Sequence, residues 1–405
     1  MDSRILKLKS AKNIYVYGAG VIGRRVFSIL SAYDLNLKVM GYVVSDARVY
    51  QNIHTMPPIK GFDEIEPDKE TVFVIALEQK QCSSVMETLE AKGFTEFFVW
   101  ENKLLESLWR SCEYQFVDRR KGKQKVCFIL AGYKEFLWED IFARVQYFLP
   151  SDVEVCILSS GIRSEVLERR SKENGWSYLS TYRNNITSIQ NIALALYDRA
   201  EWVYKMDEDI FLTKGCFDKL LSIYKCVESN GNYNIGYIAP LIPVNAYGYV
   251  TILEKFGCLD DFENRFEKAI RGGNPNRMIE SDHRVAEYMW GCNSPILKLD
   301  ELNKWFEKEK YSICGVRFSI GFILFKRKLW EAMGGFMVSG NLDLGLDEVE
   351  MCQWCVTESM AMVIAENTVV GHFSFGRQME RMKKLHAIHH ELFELEPELL
   401  NDFKE

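Results

Sequence analysis

Short apolar runs, each followed by a stretch with helical spacing, recur in two series along this chain, and that alternation admits few folds. In the first hundred residues Asn13–Tyr17 (NIYVY), Lys38–Val44, Thr71–Leu77 (TVFVIAL) and Glu96–Trp100 read as strands. Helical patterns run from a glycine turn to about Ser31 and over SSVMETLEAKG, where Gly93 stands as a C-cap. Strands separated by helices pair in parallel, because only a long crossover returns the chain to the same end of a sheet. A second series opens at Val126. There KVCFILAG and DVEVCILSSG flank the helical EFLWEDIFARVQYFL, and WSYLSTY, SIQNIALALYDRA and WVYKM continue it. An α/β architecture with two domains is predicted: a Rossmann-like parallel-sheet domain over residues 1–100 and a second α/β domain over 125–377. Between them, residues 101–124, ending in the basic run DRRKGKQK, read as a helical and basic linker; residues 378–405 read as a charged helical tail.

Composition narrows the partners. A formal charge of −7 over 405 residues gives no basic excess for nucleic acid. The chain has no apolar run of membrane-spanning length, and MDSRILKLKSAKNIYVYGAG lacks the apolar core of a signal peptide, so a cytoplasmic location is expected. Eleven cysteines are scattered without framework spacing, which in that compartment reads as free thiols. Cys352 and Cys355 form a lone C-x-x-C inside a helical pattern and read as core packing.

Gly18, Gly20 and Gly23 spell G-x-G-x-x-G between a strand and a helix, with Asp46 at the end of the second strand. Glycines here permit a tight turn and bring a phosphate close to free helix N–H groups, and the acid falls where a ribose would be held. The same glycines also serve strand–helix packing, so nucleotide binding and a docking role both stay open. Together, YVYGAGVIGRR and GYVVSDARVYQNIHTMPPIKGFDEI resemble the small N-terminal domain of bacterial sugar O-acyltransferases. That resemblance implies nucleotide-sugar binding; the hexapeptide repeats of the acyltransferase half are absent, so acyl transfer is not implied.

The function-bearing feature is Asp207-Glu208-Asp209, where the apolar strand Trp202–Met206 ends in three carboxylates. Hard oxygen ligands on a rigid strand end suit a divalent ion that neutralises a departing diphosphate. With Arg183-Asn184-Asn185 and Gln190-Asn191 upstream, the region resembles the D-x-D motif of GT-A glycosyltransferases, family 2 especially. The resemblance implies a GT-A fold, Mn²⁺ or Mg²⁺ as cofactor and a nucleotide-sugar donor. Asp209 would be the direct ligand, Asp207 would meet ribose or a metal-bound water, and Asn184, Asn191 and Glu208 fall on the donor side. The first-strand turn Ala131-Gly132-Tyr133 is expected to line the nucleotide pocket, with Tyr133 stacking on the base. The acidic residue that often reads the base is missing after Ser159-Ser160-Gly161, where Arg163 and Glu165 follow.

Downstream, SIGFILFKRKLWEAMGGF and GLDEVEMCQWCV are similar to the family's second signature. This places Asp347 and Glu348 on the acidic pair that supplies the general base, and Glu350 on a further acidic position. The pair is reversed relative to the usual Glu-Asp, and Trp354 stands where an arginine is common. His372, in NTVVGHFSFGR, falls where a late histidine completes the metal site; His386, His389 and His390 read as solvated helix surface, though the one-face spacing of His386 and His390 also suits a metal. The interval Asn245–Ser312, with Tyr247, Tyr249, Phe256, Tyr288, Trp290 and Trp305, falls on the acceptor side.

The expected activity is inverting transfer of a sugar to an acceptor hydroxyl in polysaccharide or glycoconjugate biosynthesis. A glycan or lipid-linked acceptor fits it, and with that acceptor a peripheral place at the inner membrane face. Two other readings stand beside it. One is a non-catalytic nucleotide-sugar-binding scaffold. The other, a sugar nucleotidyltransferase, lacks its Gly-rich, Arg- and Lys-bearing signature near FILAGYKEF.

Overall fold

The structure is a computed structural model and describes residues 2–50, 57–272, 277–306, 309–338 and 345–395. Residues 51–56 of the acyltransferase-like segment and 396–405 of the tail therefore lie outside the described residues, as do 273–276 and 307–308 of the acceptor-side interval.

Five strands build the first sheet: β1 (Asn13–Tyr17), β2 (Val39–Val44), β3 (Ile59–Gly61), β4 (Thr71–Ile75) and β5 (Phe97–Val99). All pair in parallel, in the order β3-β2-β1-β4-β5. The central β1 and β4 are apolar on both faces because helices cover both sides, which is why they read as continuous apolar runs. The three motif glycines are not equivalent. Gly18 has φ +112°, and a Cβ on Gly23 would lie 1.9 Å from the Gly18 carbonyl oxygen, so packing alone demands both. Around Gly20, at the start of helix Val21–Leu30, a Cβ would meet nothing within 4 Å.

The second sheet has nine strands. They are β6 (Gln115–Val117), β7 (Lys125–Leu130), β8 (Val153–Ser159), β9 (Ser177–Ser180), β10 (Trp202–Asp207), β12 (Asn234–Leu241), β13 (Tyr311–Cys314), β14 (Phe322–Lys326) and β15 (Met360–Val369). Their order is β13-β15-β12-β14-β10-β7-β8-β9-β6. β10 pairs in parallel with β7 on the side away from β8, so the strand order reverses between β7 and β10, while β14 adjoins β10 antiparallel. In open α/β sheets such a reversal forms a crevice at the strand ends. A two-stranded pair, β11 (Ile210–Phe211) with β16 (Gly371–His372), sets Ile210 opposite His372. Both predicted α/β sheets are present, the first wholly parallel and the second mixed. Among the described residues no helix is long and apolar enough to cross a membrane.

Residues 101–124, expected as a solvated linker, are built into the fold. In helix Leu104–Trp109 the side chains of Leu104, Leu105, Leu108 and Trp109 are fully buried, and β6 joins the second sheet by antiparallel pairing with β9. The basic run misleads because its cations have local partners: Arg120 pairs with Asp118 at 2.7 Å, and Arg119 donates to the Trp176 carbonyl. The tail helix Met379–Ile388 also packs down, burying Met382 and Leu385.

Polar contacts join the two sheets' layers around a core that runs through both. Arg25 donates to Glu350 at 2.9 Å and to the Gly335 carbonyl at 2.7 Å, with its guanidinium 4.9 Å from the Trp354 ring centre. Asp34 accepts from the Ser188 hydroxyl at 2.6 Å. Burial pushes Glu350 up to about 7, against the pull of Arg25 and the Met337 N–H. Arg25→Ala should therefore destabilise the chain by about 3 kcal/mol, the cost of stranding a buried carboxylate. The double variant Arg25→Ala/Glu350→Gln should recover part of that loss in urea unfolding, and additive effects would show the pair to be uncoupled.

Candidate active site

The acidic triplet ends β10 with its three side chains directed to different partners. Asp207 Oδ1 lies 2.6 Å from Lys205 Nζ, and the same ammonium stands 3.7 Å from Asp347 Oδ2. Lys205 and Asp207 share a face because residues two apart on a strand point the same way. Lys205 is almost wholly buried. Burial opposes its charge, but Asp207 and Asp347 outweigh that and raise its pKa. Burial likewise lifts Asp207 to about 6, with Lys205 pulling the other way and Asp209 adding repulsion.

Asp209 turns to a different set of groups. It pairs with Lys134, and its Oδ2 lies 3.3 Å from His372 Nε2. Despite burial, Lys134 and His372 hold its carboxyl well below the usual range. His372 Nδ1 sits 3.0 Å from the Val244 carbonyl, so the ring has one nitrogen on the backbone and the other on Asp209. Burial disfavours the imidazolium, yet Asp209 prevails and its pKa is raised. The β11–β16 pairing is what carries His372 to this place.

Glu208 faces the β7 turn. It accepts from Gly132 N at 2.9 Å, Tyr133 N at 3.0 Å and Trp138 Nε1 at 2.7 Å. Expected to contact the donor itself, it instead spends its oxygens on bracing Ala131-Gly132-Tyr133. Tyr133 is 60% exposed, with its hydroxyl on the Ser160 carbonyl at 2.6 Å, which leaves the ring at the cleft edge.

Asn191, expected on the donor side, is turned into the core. It is fully buried, its Oδ1 accepts from Trp330 Nε1 and Phe336 N, and its Nδ2 donates to the Phe336 carbonyl. It fastens the segment after helix Arg327–Met333 and presents nothing to a ligand. Asn184 is half-buried against Gly161 at the end of β8, and Asn185 caps helix Ile186–Leu196 by accepting from Ser188 N. Arg163 is turned outward to Glu168 at 2.7 Å.

The second acidic pair begins helix Leu346–Thr357, where carboxylates also suit the helix dipole. Asp347 is buried and accepts from Gln190 Nε2 at 3.0 Å beside Lys205. Glu348, more exposed, lies 2.6 Å from Arg317 Nε and accepts from Ile320 N at 3.3 Å. Asp207 at the strand end and Asp347 at the helix start thus share Lys205. The expected metal set converges only in part: Asp209 and His372 adjoin, while Asp207 is drawn to Lys205.

Of the acceptor-side aromatics, most are core. Trp290 donates to the Phe373 carbonyl and packs on Phe211, Tyr249 and Tyr288 are buried, and Trp305 alone is largely exposed, at 58%, against Phe256. Cys352 and Cys355 are buried free thiols, Cys352 near Tyr237 Oη at 3.4 Å. In the first domain Asp46 is exposed and holds Arg48 at 2.8 Å. The residues that sequence reasoning missed are Lys134, Lys205 and Arg317; Gln190 was named only as part of the upstream motif. Lys205 carried a signal, a lysine inside an otherwise apolar strand two residues before an aspartate.

No protein-family model matches this chain, and no curated protein matches it in sequence. Among solved structures, the mannosyltransferase PcManGT from Pyrobaculum calidifontis, in complex with GDP-Man and Mn²⁺, is 15% identical. That match covers 76% of this chain and 74% of the other, at a TM-score of 0.38, a likeness too remote to carry an argument about activity.

Removing the Glu208 brace leaves three donors without an acceptor. Glu208→Ala should cost roughly 3 kcal/mol in urea unfolding. Amide exchange should accelerate at Gly132 and Tyr133; unchanged protection there would show that the turn holds without the carboxylate.

Proposed function

We propose that this chain is a metal-dependent glycosyltransferase that moves a sugar from a nucleotide sugar to an acceptor hydroxyl with inversion. The observation that carries the reading is the meeting of two acidic segments from distant parts of the chain, where Asp207 at the end of β10 and Asp347 at a helix start share Lys205. The donor set fits an ion. Asp209 offers oxygen, and a histidine whose Nδ1 is engaged by a backbone carbonyl is oriented to ligate through Nε2. Oxygen with imidazole favours Mn²⁺ over Mg²⁺. When bound, the ion supplies neutralisation of the departing diphosphate.

The chain's own groups divide the remaining work. Lys134, on a flexible stem beside Asp209, reaches toward a diphosphate, and Tyr133 stacks on the nucleobase above the end of β8. Glu348 takes the proton from the acceptor hydroxyl. Asp347 is too engaged with Lys205 and Gln190 for that role and instead positions Lys205, which keeps the two acidic pairs from repelling each other. Gly18, Gly20, Gly23 and Asp46 form a proposed nucleotide-binding turn in the first domain. Its support is the open space at Gly20, the one motif glycine that packing does not require.

One observation favours the rival reading of a non-catalytic nucleotide-sugar-binding scaffold: each motif aspartate already has an ammonium partner. Release of nucleoside diphosphate separates the two. Turnover should stop with EDTA, return with Mn²⁺, and be lost in Asp209→Asn. Glu348→Gln should lower kcat by about 10²–10⁴-fold with donor affinity nearly unchanged, and Asp347→Asn should act more weakly. Donor binding without metal-dependent release in the wild type would establish the scaffold instead.

A further inference from the structure

Outside the cleft, the tail helix brings two imidazoles onto a single carboxylate. Asp140 sits in the first turn of helix Trp138–Phe148, while His386 and His390 come from the end of helix Met379–Ile388 and the turn that follows. His386 Nε2 lies 2.8 Å from Asp140 Oδ2, and His390 Nε2 lies 3.0 Å from Oδ1 and 3.1 Å from Oδ2. Among the described residues this is the one His/Cys/Asp/Glu group whose three ligand atoms all fall within 4.8 Å of one another. The histidines expected as solvated surface are thus gathered inward, and only His389 keeps a purely outward partner, Glu391.

We propose that Asp140, His386 and His390 form a binding site for a late first-row divalent cation, Zn²⁺ above all, which pins the tail to the second domain. The chemistry of the donors agrees, because two imidazoles and a carboxylate with a fourth position left for water are a set that zinc takes. The spacing agrees as well. Tetrahedral zinc with bonds of about 2.0–2.1 Å sets its ligand atoms about 3.3 Å apart, a few tenths beyond the two imidazole–carboxylate contacts here, and the two imidazole nitrogens lie within 4.8 Å of each other.

Outer contacts already orient the ligands. His390 Nδ1 lies 2.8 Å from Glu394 Oε1, the carboxylate–histidine arrangement that fixes a ligating ring and strengthens it. His386 stands edge-on to Phe136 and Phe373 and tilted against Phe393, so its ring is held in an apolar wall. The backbone beneath is clamped by the buried Arg144, which pairs with Asp300 and donates to the carbonyls of Phe393 and Glu394. Charge closes the account: with neutral imidazoles, Asp140 and Glu394 leave two negative charges, which a divalent cation cancels.

The test uses the full chain, stripped with chelator and titrated with Zn²⁺ alone by calorimetry, with Co²⁺ absorbance reporting geometry. The His390→Gln variant alters the more exposed ligand and should keep the fold by circular dichroism. Wild type and Asp209→Asn should both bind the ion and gain thermal stability with it. In His390→Gln the affinity should fall at least about 10-fold, and Glu394→Gln should weaken it about 10-fold through the ring it orients. The site is refuted if wild type takes up no Zn²⁺, or if folded His390→Gln and His386→Gln bind it as wild type does. Loss of uptake only in Asp209→Asn would likewise refute it, by placing the ion in the cleft.

Discussion

The second domain is organised around carboxylates buried at the end of a sheet. Burying ionised acids is costly unless each finds a partner, and the partners here are what tie separate elements together. Lys205 links the β10 end to the helix that carries Asp347, Lys134 and His372 link Asp209 to the β7 turn and to β16, and Glu208 fastens that turn from below. Removing any one of these groups leaves a charge or a donor stranded in the region least able to solvate it. The cleft is therefore held by electrostatics as much as by apolar packing.

Much of this was legible in the sequence, and for a common reason. Strand–helix alternation follows from burial on both sheet faces, so β1, β4, β7, β8 and β10 stand out as apolar runs. Asp207, Asp209, Asp347, Glu348 and His372 were singled out for a proposed metal and base chemistry, and the structure sets Asp207 and Asp347 on one lysine and Asp209 beside His372. What sequence spacing leaves out is direction. Asn191 and Glu208 stand in the motif neighbourhood, yet their polar atoms are consumed by Trp330, Phe336, Trp138 and the β7 turn. The cations were hidden for the complementary reason: Lys134 and Arg317 come from loops whose positions depend on the tertiary fold.

The basic stretch before β7 and the histidines of the tail illustrate the same limit. A run of charges reads as solvated when its counter-charges are remote in sequence, as Asp140 is from His386 and His390, or when an intervening strand such as β6 is only three residues long. Here the surrounding polar residues outweigh a short apolar signal.

The contact between Arg25 and the helix bearing Glu350 and Trp354 bears on how such a chain is inherited. A guanidinium from the first domain lies against the tryptophan ring on that helix and pairs with Glu350. The two halves therefore do not behave as interchangeable cassettes. A recombinant that exchanged the first hundred residues for a homologous Rossmann-like unit without an arginine at this point would inherit an acid with no counter-ion. A first domain fitted to this partner must therefore bring its own cation to the acid.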